Sequence, residues 1–275
     1  MKISELLAKL EAYHTPLDES RRTCDGIIYG NPEQECIGVV TTCCSTAAVI
    51  RKAAEMGYNL IITHEPTFFD GWDETDWLQE DTVYQAKKKL LDKTDIVVYR
   101  NHDRLHGDSP DGIFSGLIRS LRWEKYTVDM GSKVFGYRFL LPETTVADVA
   151  RHVADTMHID GIRILGDPAM KVTRVGIAAH FLGTDVDRHG IGFVNDFDCE
   201  LLIPGEIIDW TIGEYIADAN ALGLKKAVLN VGHFNLEEPG MEHMARWLPD
   251  VIGEEAPVTF IQSGNSYRWL DFSQE

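Results

Sequence analysis

The sequence predicts an α/β protein in two α/β lobes, each built on a mixed, mainly parallel sheet. Short apolar segments alternate with amphipathic helical segments over most of the 275 residues, and this alternation builds sheets that are covered by helices on both faces. A hydrophobic fraction of 44% is enough for a full core. The pattern predicts one lobe at residues 1–130 and 224–275 and a middle lobe at residues 131–223.

The first lobe begins with an amphipathic helix and then alternates strands with helices. Residues 1–14 place four apolar side chains on one helical face, with Ser4 as the expected N-cap: Ile3, Leu6, Leu7 and Leu10. The apolar segments that follow predict strands at residues 37–42, 59–63 and 95–100. Residues with helical spacing predict helices between and after them, at 45–56, 82–91 and 112–121.

The pattern changes beyond Trp123. Alternating side chains predict antiparallel or edge strands at residues 126–130 and 134–141, before a helix at 146–157. The middle lobe continues with strands at 171–179 and 200–203 and a helix at 214–222. The last stretch repeats the style of the first lobe and is expected to rejoin it, with strands at 226–231 and 258–262 and a helix at 238–248.

Composition excludes several classes of partner. A formal net charge of −18 disfavours a nucleic-acid partner and an anionic membrane, because both are bound through clustered Lys and Arg. No apolar run reaches the roughly 18 to 20 residues of a membrane span, so a cytoplasmic protein is expected. The five cysteines form no C-x-x-C pair and are interpreted as reduced thiols in or near the core.

Three predicted strands end in segments that carry histidine. The strand at 59–63 is followed by His64 and Glu65, the strand at 95–100 by His102 and His106, and the strand at 226–231 by His233. In parallel sheets, ligands bind beyond the carboxyl ends of the strands, where loops from neighbouring strands converge. A lone histidine is more often a core or surface residue than a ligand. Three such strand ends together predict a binding site.

The residue types predict more metal ligands than one ion needs. Histidine and carboxylate ligands suit Zn, Mn, Fe or Ni better than Ca or Mg, and five or six of them exceed the four of a tetrahedral zinc site. His233 and Glu237 share one helical face if a helix starts there. On spacing alone, a solvated first-turn carboxylate is an equally good interpretation of Glu237.

The same residues, in order, resemble the motifs of the Nif-three-like dinuclear metal-centre family, whose bacterial members are often labelled GTP cyclohydrolase type 2 homologues. Residues 59–66 (NLIITHEP) resemble the family's L-I-I-T-H-H-P, residues 102–106 (HDRLH) its H-T-N-L-D, and residues 232–237 (GHFNLE) its G-H-Y-x-x-E. The resemblance implies two divalent metal ions per chain, with His102 at the edge of their pocket and ligands at His64, Glu65, His106, His233 and Glu237. It also implies a homo-oligomer, often a hexameric ring.

Two positions depart from the family pattern. Glu65 stands where the family has the second His of H-H-P, and His106 stands where the family has the Asp of H-T-N-L-D. The exchange keeps three histidines and two carboxylates, so the number and charge of the ligands survive. The identity of the metal and its reactivity can differ.

Two ions close together can orient a substrate, polarise its electrophile and lower the pKa of water towards neutrality. This favours a zinc-type metal-dependent hydrolase of a small molecule such as a nucleotide, phosphoester or cyclic amide, with His102 as a proton shuttle or as a partner that orients a ligand. The alternative is a non-catalytic metal-binding protein with a role in assembly or regulation. The sequence has no P-loop, dinucleotide-binding or nucleophile-elbow motif.

A second group of residues has metal-binding types but no family motif behind it. It follows the predicted strand at 171–179 and comprises His180, Asp185, Asp187 and His189. Because Gly183 and the aspartates favour turns, a substrate-facing loop or a plain turn is the preferred interpretation.

Overall fold

The computed structural model of the chain describes residues 1–18, 20–128 and 136–268. Two compact units are present. The first comprises Met1–Leu117 and Glu237–Gly264, and the second comprises the described residues of Ile118–Leu236 together with 265–268. The lobe boundary predicted near residue 130 lies outside the described residues.

The described residues form ten strands and nine α-helices. The strands are β1 (Gly26–Tyr29), β2 (Val39–Thr42), β3 (Leu60–Thr63), β4 (Val97–Arg100), β5 (Gly136–Thr145), β6 (Arg163–Leu165), β7 (Lys171–His180), β8 (Leu201–Glu206), β9 (Ala227–Asn230) and β10 (Val258–Phe260). The helices are α1 (Ile3–Tyr13), α2 (Ala47–Glu55), α3 (Thr82–Thr94), α4 (Asp103–Gly107), α5 (Gly112–Leu121), α6 (Val146–Met157), α7 (Val186–Asp196), α8 (Glu214–Ala221) and α9 (His233–Ile252).

The first unit is built on a five-stranded sheet with the order β1-β4-β3-β2-β10. Strands β10, β2, β3 and β4 are parallel, and β1 is antiparallel at the edge beside β4. Every residue of β2, β3 and β4 is buried, as expected for parallel strands covered on both faces. One apolar cluster joins alternate residues of these strands to α1 and α9, and a second joins the other residues to α2 and α3.

The second unit is built on a separate five-stranded sheet with the order β5-β7-β8-β9-β6. The central strands β7, β8 and β9 are parallel, while β5 and β6 pair antiparallel at the two edges. The α/β prediction with mainly parallel sheets is confirmed. Among the described residues, no helix is long and apolar enough to cross a membrane.

Local sequence signals located most elements well. Helices α5 and α6 have the predicted bounds, 112–121 and 146–157. Residues 226–231, which the sequence grouped with the first lobe, instead supply β9 of the second sheet, where Leu201 and Ala227 are paired. The apolar pattern of a buried strand is the same in either sheet, so it does not indicate which one the strand joins.

Two local predictions were wrong. Ser4 does not cap the first helix: α1 begins at Ile3, whose backbone N–H donates to the carbonyl of Gln34, and the N–H of Ser4 donates to the carbonyl of Pro32. A loop distant in sequence therefore satisfies amides that a local cap would otherwise satisfy. The strand predicted at 126–130 is a 3₁₀ turn at Glu124–Tyr126 followed by a single bridge from Thr127 to Phe139, and residues 129 and 130 lie outside the described residues.

Helix α9 packs closely against α5 within the first unit. A Cβ atom added at Gly116 would lie 2.6 Å from the Cα atom of Gly240. The hydroxyl of Thr41 on β2 also donates to the carbonyl of Met241, at 3.0 Å. These contacts fix the segment of α9 that carries Glu237 against the sheet.

The buried ammonium group of Lys87 on α3 predicts that the stability of the first unit depends on pH. Burial lowers the pKa of its ammonium group from the ordinary 10.5 to about 8, and Nζ donates to the carbonyl of Thr67 at 2.6 Å. Between pH 8 and pH 10.5, the folded and unfolded pKa values of Lys87, the unfolded chain binds more protons than the folded chain. The free energy of unfolding should therefore rise with pH, by up to about 3 kcal/mol. We expect Lys87→Met to flatten this rise when urea unfolding is measured from pH 7 to 10.5.

Lys89→Met, on the exposed surface of the same helix, is the matched control and should keep the rise. If Lys87→Met and the parent chain show the same change in stability across this window, Lys87 does not cause it.

Candidate metal centre

The carboxyl ends of β3 and β4 lie side by side because these strands are parallel, with Thr63 opposite Arg100. His64 follows Thr63, and Asn101 follows Arg100, so these two residues are also neighbours. His64 is completely buried, and its backbone N–H donates to the carbonyl of Cys43 at 3.1 Å. Its ring Nδ1 lies 3.2 Å from the carbonyl oxygen of Asn101, which directs Nε2 towards the other side of the ring.

Helix α4 presents His102 and His106 beside this strand end. The Asp25 carboxylate holds the start of α4 by accepting hydrogen bonds from the backbone N–H groups of residues 102, 103 and 104, at 2.7, 2.8 and 2.9 Å. Nδ1 of His102 lies 2.9 Å from Oδ1 of Asp103, and Nδ1 of His106 lies 2.8 Å from Oδ2 of Asp111. A carboxylate accepts a hydrogen bond at Nδ1 of each ring, so Nε2 is the nitrogen suited to a metal.

The three imidazoles form one compact group. The ring centroids are 4.5 Å apart between His64 and His102, 5.0 Å between His64 and His106, and 4.8 Å between His102 and His106. One nitrogen from each ring lies within 4.8 Å of the other two. Three histidines whose second nitrogens are held by acceptors are a ligand set typical of zinc and related ions.

Two carboxylates form a second group with the same His64. Glu65 follows it directly, and Glu237 on α9 places Oε2 at 3.4 Å from Nε2 of His64. One ligand atom each from His64, Glu65 and Glu237 lies within 4.8 Å of the others, and all three side chains are buried. His64 therefore belongs to both groups, and the first unit alone offers three imidazoles and two carboxylates.

Arg100 supplies the positive charge beside the carboxylates. Its guanidinium is buried and lies 3.7 Å from Oε2 of Glu65 and 3.6 Å from Oδ2 of Asp73. It also donates to the backbone carbonyls of His64, at 3.1 Å, and Gly71, at 2.7 Å. A fixed guanidinium fork positions Glu65 and partly neutralises its charge.

The charges around the imidazoles change their proton affinities. Burial lowers the pKa of His106, but the hydrogen bond to Asp111 and the negative charges of Asp111, Glu237 and Glu65 outweigh it, so the pKa is raised overall. Burial alone would raise the pKa of Asp103, yet hydrogen bonds from His102 and Thr23 lower it to about 2. Asp103 is therefore ionised near neutral pH and keeps accepting from His102.

Cys24 lies next to the imidazole group but is a poor ligand in this state. Its Sγ atom is 3.5 Å from Oδ1 of Asp103, and it forms a group with His102 and Asp103 whose ligand atoms lie within 4.8 Å of one another. Burial raises the pKa of the Cys24 thiol to about 12. Metals bind the thiolate, so Cys24 would have to lose its proton in order to bind an ion.

His233 contacts Glu206 in the second unit. His233 begins α9 in the second unit, where its Nδ1 lies 2.8 Å from Oε1 of Glu206 and where His180 contacts the other oxygen of the same carboxylate. Burial opposes ionisation of Glu206, but hydrogen bonds from His180 and His233 lower its pKa to about 2. The place of His233 among the ligands of His64 stays a prediction.

Several contributing residues were missed by sequence reasoning. They orient or neutralise the candidate ligands, and they are Asp25, Arg100, Asn101, Asp103 and Asp111. Asp111 carried a recognisable signal, because an Asp just before a helical segment is a common N-cap, and its Oδ1 does accept from the N–H groups of Ile113 and Phe114. No sequence signal indicated that its second oxygen, Oδ2, contacts His106.

His180 and Asp187, two of the metal-type residues that the sequence groups after the strand at 171–179, have different partners in the structure. The Asp187 carboxylate accepts hydrogen bonds from the N–H groups of Leu182 and Gly183 and from the hydroxyl of Thr211. Asp187 thus closes the turn, as the preferred interpretation held, while His180 pairs with Glu206.

Comparison with known proteins shows the family to which the chain belongs. The sequence model described as Duf34/NIF3 (NGG1p interacting factor 3) matches residues 1–266, nearly the whole chain. The chain belongs to the Duf34/NIF3 family. The resemblance in the three histidine motifs is thereby confirmed at the level of the family.

Three similar proteins match along most of their length. A GTP cyclohydrolase 1 type 2 homolog of Clostridium perfringens is 26% identical over 246 residues, which cover 86% of this chain and 87% of the relative. A hypothetical protein of Staphylococcus aureus superimposes with a TM-score of 0.72 at 18% identity and 98% and 99% coverage of the two chains. A Bacillus cereus protein related to NIF3 does so with a TM-score of 0.68 at 14% identity, with the same coverage. The two solved structures show that the fold is shared.

Proposed function

We propose that the chain binds two divalent metal ions through the first unit and uses them to hydrolyse a small molecule. The residues assigned to the centre are His64, Glu65, His102, His106 and Glu237. The observation that carries the proposal is the position of His64, which belongs both to a group of three imidazoles and to a group with two carboxylates. One ion would use His102 and His106 and the other Glu65 and Glu237, with His64, which has a single nitrogen available at Nε2, as a ligand of one of them.

The residues present fit such ions. Imidazole nitrogens combined with carboxylate oxygens suit Zn, Mn, Fe or Ni, and the set is larger than a single tetrahedral site requires. The acceptors at Nδ1 of His64, His102 and His106 are the partners that metal-binding histidines usually have. Bound ions would supply Lewis acidity and a water of lowered pKa at neutral pH.

The side chains of the centre differ in their exposure to solvent. His102 and His106 have side chains 28% and 26% exposed, whereas those of His64 and Glu237 are 0% and 2% exposed. A substrate would therefore approach from the side of His102 and His106. His102, whose Nδ1 lies 2.9 Å from Oδ1 of Asp103, would present Nε2 to an ion on this more exposed side.

The proposed substrate class follows from charge and from the family. The chain carries a formal net charge of −18, so an anionic substrate would depend on the metal ions for attraction. Relatives carry the name GTP cyclohydrolase 1 type 2 homolog, which makes nucleotides and cyclic amides the first compounds to test here. Fold and family do not determine the substrate, so phosphoesters belong in the same panel.

The test is turnover by protein reconstituted with Zn, Mn, Fe(II) or Ni. We expect hydrolysis of at least one panel compound that stops with chelator and returns with metal. His106→Ala should lower kcat/KM by about 100-fold or more. Asp111→Asn keeps the imidazole of His106 but weakens the contact that orients it, and it should lower kcat/KM by about 10- to 100-fold. His158→Ala, which removes an exposed histidine of the second unit, is the control and should have no effect.

One observation favours a second candidate function. His64, Glu65 and Glu237 are all buried, which is typical of a closed structural ion. In that case the ions would serve assembly, such as the homo-oligomer that the resemblance implies, or regulation. Two bound ions per chain without metal-dependent turnover of any panel compound would support this candidate against the hydrolase.

A further inference from the structure

His14, the residue that follows helix α1, is a buried histidine with a polar partner at each ring nitrogen. Nδ1 lies 2.7 Å from Oδ2 of Asp108, and Nε2 lies 3.0 Å from Nδ2 of Asn101. A carboxylate accepts hydrogen bonds and the Nδ2 group of an amide donates them, so Nδ1 of His14 donates to Asp108 and Nε2 accepts from Asn101. His14 is therefore a neutral imidazole with its hydrogen on Nδ1.

Asn101 connects His14 to the candidate ligand His64. Asn101 is completely buried, and its backbone N–H donates to the carbonyl of Thr63 at 2.9 Å. Its own carbonyl oxygen lies 3.2 Å from Nδ1 of His64. Oδ1 of Asn101 has no hydrogen-bond partner among the described residues, so the polar contact that holds this side chain is the one from Nδ2 to His14. His14 thus holds the residue whose carbonyl orients His64.

Asp108 connects His14 to helix α4, which carries the candidate ligand His106. Asp108 directly follows α4. Its Oδ1 accepts from the backbone N–H of Thr15 at 2.9 Å, while Oδ2 accepts from His14. Asp25 holds the start of the same helix through backbone N–H groups. Carboxylates therefore contact both ends of α4, and His14 donates to the one at the carboxyl end.

The relative positions of His64 and His106 decide whether both can bind one ion. Their ring centroids are 5.0 Å apart, and the two residues lie on different elements, a strand end and a helix. Zinc–nitrogen bonds are about 2.0–2.1 Å long, so a small displacement of either ring weakens the binding of a shared ion. A residue that contacts both elements can therefore control the affinity for the ion.

We propose that His14 is a positioning residue of the metal centre, which holds His64 through Asn101 and the end of α4 through Asp108. This role rests on the proposed function, because it acts on the ligands of that centre. Both ring nitrogens of His14 are engaged, so His14 itself binds no ion.

The experiment is Zn²⁺ binding to the full-length, metal-free chain, measured by titration against a competing chelator and by elemental analysis after dialysis. The ion to follow is the one that His64→Ala removes. We expect His14→Ala to weaken the binding of this ion by about tenfold or more, as the loss of a partner that orients a ligand usually does. Circular dichroism and the urea midpoint report the folding of each chain.

Two conservative variants separate the two contacts of His14. His14→Gln places an amide oxygen near the position of Nε2, so it can still accept from Asn101. His14→Asn places an amide group near the position of Nδ1, so it can still donate to Asp108. Each variant keeps one of the contacts that His14→Ala loses. We therefore expect both to bind the ion more tightly than His14→Ala and less tightly than the parent chain.

Leu10→Val is the control for a purely structural effect. Leu10 is a fully buried core residue of α1, so its shortening destabilises the folded chain but keeps His14 and both of its contacts. Leu10→Val should leave the affinity for Zn²⁺ unchanged.

A folded His14→Ala chain that binds this ion as tightly as the parent overturns the positioning role. A loss of affinity that Leu10→Val reproduces, or that neither conservative variant reduces, overturns it as well. The proposed function fails in a different way: the parent and His64→Ala chains then bind the same number of Zn²⁺ ions with the same affinity, and the role of His14 falls with it.

Discussion

Replacing His64 by alanine is expected to remove at least one metal ion per chain and to weaken binding at the first unit by about 100-fold or more. His64 is the residue common to the imidazole group and the carboxylate group, so its loss removes a ligand that either group could use. Elemental analysis after dialysis against metal-free buffer, followed by Zn²⁺ titration, measures the loss.

Two further variants separate lost coordination from lost folding. His64→Gln keeps most of the buried volume and should lose metal like His64→Ala, whereas His158→Ala should retain the full metal content. Circular dichroism and the urea midpoint report whether each chain is folded. A folded His64→Ala chain with the metal content and affinity of the parent would refute the assignment of this centre.

Replacing Arg100 by leucine is expected to destabilise the metal-free chain by about 3–5 kcal/mol at pH 7, because removal of one partner from a buried ion pair leaves the other charges uncompensated. Glu65 and Asp73 would lose the guanidinium, and the carbonyls of His64 and Gly71 would lose a donor. The measurement is urea unfolding of metal-free protein, with the parent chain measured in parallel.

The pH dependence of this loss has a definite sign. Burial raises the pKa of Asp73, and Arg100 opposes that rise. Without Arg100 the folded-state pKa rises further, so the variant is least penalised at low pH, where the carboxyl is protonated, and loses stability as pH increases. The difference between Arg100→Leu and the parent should therefore shrink between pH 7 and pH 4.

Arg22→Leu is the matched control for Arg100→Leu. Arg22 forms a 2.7 Å ion pair with Glu74, but the two side chains are 59% and 60% exposed, so its loss should cost less than about 1 kcal/mol. An Arg100→Leu chain as stable as Arg22→Leu at pH 7 would show that the charges around Glu65 do not depend on Arg100.

Part of the candidate centre could be predicted from strand ends alone. The sequence indicated strands ending before His64 and before Asn101, and the rule for parallel strands brings such ends together. The pairing of β3 with β4 does this, with His64 and Asn101 adjacent. The exchange of histidine and carboxylate at Glu65 and His106 was also visible in the sequence. The partners that accommodate it, Arg100 and Asp111, were not.

The contacts of Arg100 and Asp111 could not be predicted because each one joins different elements of the fold. Asp111 is five residues from His106, but its carboxylate meets the imidazole only because α4 and α5 turn in a particular way. Arg100 reaches Glu65 across the β3–β4 pair, 35 positions along the chain. Neither contact is expressed in the spacing of apolar residues, which reports only on the face that an element buries.

The sequence by itself determined most of the elements of this protein, their α/β class and the types of ligand at the strand ends, because periodicity and strand-terminal residues are local properties. Only the tertiary structure decided that β9 pairs in the second sheet, that a distant loop caps α1, and that His102 joins His64 and His106. It also paired His233 with Glu206 and His180. These outcomes depend on hydrogen bonds between segments far apart in sequence, and a buried apolar strand carries the same pattern whichever neighbour it acquires.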